Sequence, residues 1–304
     1  MLKTIASRRR SPAGLVLALG CLILVLGLGR PATAEAQARH ARDQNIQPVY
    51  EGWERNPDGS YNMLFGYLNR NWVEEPEIPI GEDNAFSPGP ADRGQPTHFY
   101  PRRQLYVFKV RVPADWGDQR LVWTVTRDGR TDQAVGKLIG FYEHDAGVYL
   151  AQRVSRLRAT PEERRNQAPS ITLVGPDAVT ASVGAPLALA VTASDDGIPG
   201  PAQSRFARPI TERPAKTPDG ALQQDMVSGY VATATGLAVT WLHYRGPGNV
   251  TFDPMHASLD TGGGRATTEA RFSEPGTYVI RAVGNDQIFT TPVNVTVTVT
   301  AGSE

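Results

Sequence analysis

Apolar residues in this chain recur at every second position over most of its length, a spacing that fits half-buried strands and not helices. In "SYNMLFGYL" Tyr61, Met63, Phe65 and Tyr67 share one side, and in "QLYVFKVRV" Tyr106, Phe108, Val110 and Val112 do the same. "RLVWTVT" sets Leu121, Trp123 and Val125 against Val122, Thr124 and Thr126. Turn formers separate these runs: Asn56-Pro57-Asp58-Gly59, Asp115-Trp116-Gly117 and Asp128-Gly129. With hardly any 3.6-residue period to compete, the expected fold class is all-β, two β-sandwich domains in 304 residues.

The boundaries follow from composition. Lys3, Arg8, Arg9 and Arg10 precede an unbroken apolar run over residues 13–29, and small-residue sites follow at Ala32-Thr33-Ala34 and Ala36-Gln37-Ala38. That order makes residues 1–38 a signal peptide and the chain an exported one, periplasmic, cell-surface or secreted. The alternative is an uncleaved N-terminal anchor, since 17 apolar residues reach the lower limit for a span. "SRRR" falls short of a twin-arginine signal because Ser11 and Pro12 stand where an apolar pair belongs. Cys21 is followed by eight more apolar residues and reads as small apolar filler, not a lipid-attachment site. Residues 48–154 form the expected N-terminal sandwich, 155–169 a linker, and 170–301 a second domain. In the linker, Thr160 can cap a short helical turn that has Pro161 at its first position.

Cys21 is the only cysteine, so a cleaved chain has no disulfide, no thiolate metal site and no cysteine nucleophile. Removal of residues 1–38 leaves 26 basic against 30 acidic residues, a balance with no footprint for nucleic acid or an anionic membrane surface. Membrane contact is expected only through the N-terminal segment, if it stays uncleaved.

Residues 77–103 interrupt the first sandwich with prolines at 79, 88, 90, 96 and 101, too many for a central strand. Because Phe86, His98, Phe99 and Tyr100 are embedded in it, the expectation is an ordered loop packed on the sheet.

From residue 170 the pattern changes. Asp195-Asp196-Gly197 follows a second strand, Trp241 precedes Gly246-Pro247-Gly248, Pro275-Gly276-Thr277-Tyr278 opens a penultimate strand, and "VNVTVTVT" closes the domain. At these residues the chain resembles the immunoglobulin-like, in particular PKD-like, domains of bacterial exported proteins. The N-terminal domain carries no such resemblance. The resemblance implies a core role for Trp241 and a tyrosine corner at Tyr278, with Ile280 packed on Leu189 or Val191 where antibody domains have a disulfide. One departure is the insertion at 198–235, proline-rich and basic, which is expected to run over the surface as a contact region or as a tolerated excursion.

Chemistry is sparse. His40, His98, His144, His243 and His256 show no metal-ligand spacing, and there is no nucleophile elbow, phosphate loop or dinucleotide fingerprint. "TGGGR" at 261–265 reads as a loop tip. Glu74, Glu75, Glu77, Glu82, Asp83 and Asp92 permit a carboxylate pair and so a glycan-directed hydrolase as the alternative function. Calcium is the one cofactor considered, with Asp195, Asp196, Asn285 and Asp286 as its oxygen ligands, although turn formation alone also explains Asp-Asp-Gly. Trp53, Trp72, Tyr100, Trp116 and Tyr142 stand at turns or strand ends, where exposed aromatics can anchor a partner or stack on sugar, with core packing the default for each. The expected function is a non-catalytic binding, adhesion or accessory role at the cell envelope, with a protein or glycan partner.

Overall fold

The computed structural model describes residues 42–145, 148–149, 160–198 and 236–302, all within one compact unit, His40–Glu304. The expected signal segment, residues 199–235 of the insertion and residues 155–159 of the expected linker lie outside the described residues.

The first sandwich has two three-stranded sheets. One orders as β1 (Ile46–Arg55), β2 (Tyr61–Asn69), β4 (Arg102–Val112); the other as β3 (Asn84–Ser87), β5 (Leu121–Arg127), β6 (Arg130–Gly136). The alternation read from the sequence sets the inward face: Met63, Phe65, Phe108, Val110, Leu121, Trp123 and Val125 are all buried in one core. Its centre is aromatic. The Phe65 ring lies edge-on to Phe86 and Trp123, and the Phe86 and Trp123 rings stack at 5.8 Å. The proline-rich connection is ordered and contributes β3, which pairs with β5. One buried side chain holds it in place. Asn84 donates from Nδ2 to the carbonyls of Ile78 (2.9 Å) and Pro96 (2.8 Å), while its Oδ1 accepts from Trp123 Nε1 (2.9 Å).

The second sandwich pairs a five-stranded with a four-stranded sheet. The first orders as β12 (His256–Ser258), β10 (Ala238–Arg245), β14 (Gly276–Asn285), β15 (Thr290–Thr300), β8 (Ala178–Ser182). The second orders as β11 (Val250–Asp253), β13 (Gly263–Phe272), β9 (Leu187–Ser194), β7 (Ser170–Leu173). In order across each sheet, β7-β9-β13-β11 reproduces the A-B-E-D sheet and β10-β14-β15 the C-F-G sheet of an immunoglobulin-like domain. Trp241 is fully buried on the third of these strands, and Ile280, Leu189 and Val191 share its core. The Tyr278 hydroxyl donates to the Glu274 carbonyl at 2.7 Å, closing the tyrosine corner. The Gly246-Pro247-Gly248 turn rests on that tyrosine: Gly246 has φ +129°, and a Cβ there would stand 2.4 Å from Tyr278 Cδ1.

Between the sandwiches, Thr160 Oγ1 accepts from the Glu163 amide (3.1 Å) and Glu163 Oε2 accepts from the Thr160 amide (2.6 Å). This reciprocal cap starts the short turn Glu163–Arg165, as the sequence suggests.

Replacing Asn84 by alanine strands one buried indole N–H and two carbonyls at once. Asn84→Ala is expected to lower stability by about 2–4 kcal/mol, measurable by denaturant unfolding. A loss under about 1 kcal/mol would show that water replaces the amide and that Asn84 does not organise the loop.

Candidate functional site

The region richest in buried polar groups lies where the proline-rich loop of the first sandwich meets β10 of the second. In the β10/β14 ladder His243 faces Ile280 and Arg245 faces Val279, so Tyr244 is the extra residue of a bulge. Released from the ladder, its carbonyl accepts from the amides of Thr97 (3.1 Å) and His98 (3.4 Å). Its hydroxyl donates to the Gly94 carbonyl. On either side, Arg245 grips Asp92 with two hydrogen bonds (2.9 and 2.7 Å) and donates from Nε to the Gln95 carbonyl. The Gly246 amide donates to Thr97 Oγ1, and the His243 amide to the Tyr100 hydroxyl (2.9 Å). Buried Arg281 stacks over the Tyr244 ring at 3.4 Å and donates to the Val107 carbonyl of β4.

Inside this joint sits a histidine–carboxylate cluster. Glu77 and His98 face each other across an antiparallel bridge, which sends both side chains to one face. Glu77 Oε1 bonds to His98 Nδ1, and Glu75 Oε2 lies 3.2 Å from His98 Nε2. Burial disfavours charge on His98, but the carboxylates of Glu75 and Glu77 outweigh it and lift its pKa from 6.5 to about 8. Burial raises the Glu77 carboxyl, and the bond to His98 pulls it back in part.

His243 has a different fate. It continues the inward row of Val239 and Trp241, only 2% exposed, with its ring stacked on His98 at 4.3 Å and tilted against Tyr278. Neither ring nitrogen makes a hydrogen bond. Burial, then the charge of His98, push its pKa down to about 2; the nearby backbone of Gly246 and Arg245 offsets this only slightly. His243 is therefore neutral, and its 3.6 Å approach to Glu77 Oε1 is not an ion pair. A buried polar atom left without a partner costs on the order of 1–3 kcal/mol. Among the described residues, Glu77, His98 and His243 are the one group of three that offers ligand atoms within 4.8 Å of one another. Sequence spacing gave no warning, because His98 and His243 come from different sandwiches.

The four residues considered for calcium collect at the other end of the β10/β14 ladder, where Ala238 faces Asn285. Their oxygens cap backbone: Asp195 Oδ2 takes the Gly197 amide, Asp196 Oδ1 that of Ile198, Asn285 Oδ1 that of Gln287, and Asp286 Oδ1 those of Ile288 and Phe289. Asp286 Oδ2 also accepts from Asn166 and Asp196 Oδ2 from the Gln167 amide, so the segment before β7 is clamped to this end. Asp195 Oδ1 and Asn166 Oδ1 are buried without hydrogen-bond partners.

The carboxylates considered for hydrolysis are largely engaged by cations. Glu74 pairs with Arg127, Glu75 and Glu77 with His98, and Asp92 with Arg245. Of the aromatics, Trp53, Trp116 and Tyr100 are buried, in line with the core role that is the default for each and not with an exposed anchor. Tyr100 does anchor a partner, but an internal one: it packs on Leu242 and Met255 of the second sandwich. Arg102 covers the Trp72 ring at 4.1 Å. Tyr142 is exposed, and beside it Phe141 is 91% exposed.

No protein-family model and no curated protein matches the chain. Among solved structures it is similar to fibronectin(III)-like modules of Clostridium thermocellum CbhA, at 13% identity over 84% of this chain and 95% of that one, with a TM-score of 0.23. Domains 4 and 5 of the S-layer protein SbsC give 11% identity over 85% and 98% of the two chains, with a TM-score of 0.22. The D00-D0 domain of intimin gives 10% over 84% and 100%, with a TM-score of 0.23. Superpositions this loose carry no weight for function.

Burial raises the Asp286 carboxyl from 3.8 to about 6, with the charge of Asp195 adding to it against three hydrogen bonds that lower it. The folded state thus holds this proton more tightly than the unfolded state. The stabilisation is complete below pH 3.8 and is lost as pH rises through 6. Relative to Asp286→Asn, the wild type is expected to gain roughly 2 kcal/mol between pH 7 and 4 in denaturant unfolding. A difference that does not change with pH would overturn this assignment.

Proposed function

We propose that the chain is an exported, non-catalytic binding, adhesion or accessory protein of the cell envelope, whose PKD-like second sandwich is locked to the first and whose partner is a protein or glycan. The observation that carries this reading is the tip at Ile139–Tyr142, where Phe141, Tyr142 and Ile139 are all exposed. An almost fully exposed phenylalanine beside two further apolar side chains is a surface that water disfavours and a partner can cover. The tip is held from below, since Trp53 Nε1 donates to the Ile139 carbonyl and the Tyr50 hydroxyl to that of Lys137. A glycan-directed hydrolase has less support, because its candidate acids Glu74 and Asp92 are held by Arg127 and Arg245.

The test is capture of envelope components from the source cell with the wild-type protein, with Phe141→Ser and with a chain lacking residues 198–235. Phe141→Ser is expected to change stability by less than about 0.5 kcal/mol and to lose captured material. An identical captured set in all three proteins would overturn the proposal.

Calcium belongs to the same reading. The unpartnered oxygens of Asp195 and Asn166 beside Asp286 give a hard cation a start on its ligand set. Millimolar Ca²⁺ is expected to raise Tm by a few degrees in the wild type and not in Asp195→Asn. Equal shifts in both proteins would remove calcium from this end.

A further inference from the structure

We propose that Glu77, His98 and His243 form a binding site for a divalent first-row transition metal, Zn²⁺ being the representative ion, which ties the two sandwiches together through ligands from both. This goes beyond the envelope-binding role and does not rest on it.

Three observations converge. The donor set is two imidazoles and one carboxylate with ligand atoms within 4.8 Å of one another, a combination suited to zinc and its neighbours in the first row. His243 supplies what a metal needs and a folded core ordinarily avoids: a neutral imidazole, 2% exposed, with both nitrogens unpartnered and Nδ1 3.6 Å from Glu77 Oε1. Tetrahedral coordination with metal–ligand distances of about 2.0–2.1 Å places neighbouring ligand atoms about 3.4 Å apart, so that approach is already close to the required one. The outer shell is also present. With Nδ1 of His98 facing Glu77, its Nε2 lies 3.2 Å from Glu75 Oε2, the carboxylate–histidine–metal arrangement that fixes a ligand ring and raises its basicity.

Access and charge agree with this assignment. The Glu77 side chain is 26% exposed while His98 is 4% exposed, so an ion can enter past the carboxylate into a site closed on its histidine side. Glu75 is occupied with His98, which leaves the fourth position to water. The proton now shared between His98 and Glu77 is displaced when the ion binds.

The test uses the untagged exported protein with Co²⁺ as a spectroscopic probe and Zn²⁺ for affinity. The wild type is expected to bind one Co²⁺ with visible d–d bands of four- or five-coordinate geometry, and one Zn²⁺ by calorimetry. At a hundredfold excess over Kd, Zn²⁺ should raise Tm by roughly 5–10 °C. His243→Leu fills the space of the ring with apolar atoms, so it should fold and lose both the bands and the Tm shift. Glu77→Gln serves as the ligand variant if His243→Leu does not fold. Glu75→Gln should weaken Zn²⁺ about 10–100-fold without abolishing the Co²⁺ spectrum. A folded wild type with no Co²⁺ spectrum, or a spectrum that persists in the ligand variant, overturns the site.

Discussion

The carbonyl of Tyr244 is the fixed point on which the rest of the molecule depends. A regular β10 would spend that oxygen in its own ladder and present an outer face closed to other backbone. The bulge between His243 and Arg245 removes it from the ladder and points it at the amides of Thr97 and His98. The first sandwich is thereby joined to the second by backbone hydrogen bonds whose geometry does not tolerate sliding. Asn84 completes the chain of constraint, because it ties Ile78 and Pro96 to Trp123 and so carries the position of the loop into the centre of the first core. In a segment with five prolines ladder pairing is confined to β3 and the Glu77–His98 bridge, and a buried amide with three partners holds the rest.

This joint also explains why β10 and β14 are buried on both faces although each belongs to a sandwich. Inward, Val239, Trp241 and Ile280 fill the immunoglobulin-like core; outward, Leu242 meets Tyr100, and Arg281 lies between the Tyr244 ring and Val107 of β4. Burying a guanidinium is expensive unless its donors are used, and here Nε goes to Asn294 and a terminal nitrogen to a backbone carbonyl. The contact area between the sandwiches is polar, yet nearly every buried group in it has a named partner. Among the described residues of β10, His243 and the Trp241 Nε1 are the buried polar groups without a hydrogen-bond partner, and His243 leaves two such nitrogens.

The sequence disclosed most of what depends on period and local turn chemistry. Alternation predicted the inward faces of β2, β4 and β5 and the last strand β15, and the motifs around Trp241 and Tyr278 predicted an immunoglobulin-like second sandwich with its tyrosine corner. Thr160 was legible as a cap because capping is a contact over three residues. What could not be read was anything that depends on two distant segments meeting. Tyr100 reads in sequence as a core residue or an outside anchor, and nothing there indicates that Leu242 and Met255 are what cover it. Glu77 and His98 are 21 residues apart and His243 a further 145, so their convergence has no local signature. Burial also carries information that residue type does not: a histidine in a list of five is unremarkable, whereas one with both nitrogens desolvated and unpaired is not.

The same pair of strands carries both clusters of ligand-like groups, at opposite ends. His243 lies near the bulged end of β10, and Ala238, opposite Asn285, lies at the other, five residues away or about 17 Å at the rise of a strand. The His–Glu cluster takes ligands from both sandwiches and is closed by the joint. The Asp195–Asp286 end takes its groups from the second sandwich and the segment leading into it, and there β9 ends and β10 begins. Imidazole donors are thus confined to one end of this ladder and an all-oxygen set to the other. An ion bound at the bulged end would act on how the two sandwiches are held, and an ion at the acidic end would act on the segment through Asn166 and Gln167 that enters the second. The two effects would be separable by metal type and by residue, because the two clusters stand at opposite ends of the β10/β14 ladder.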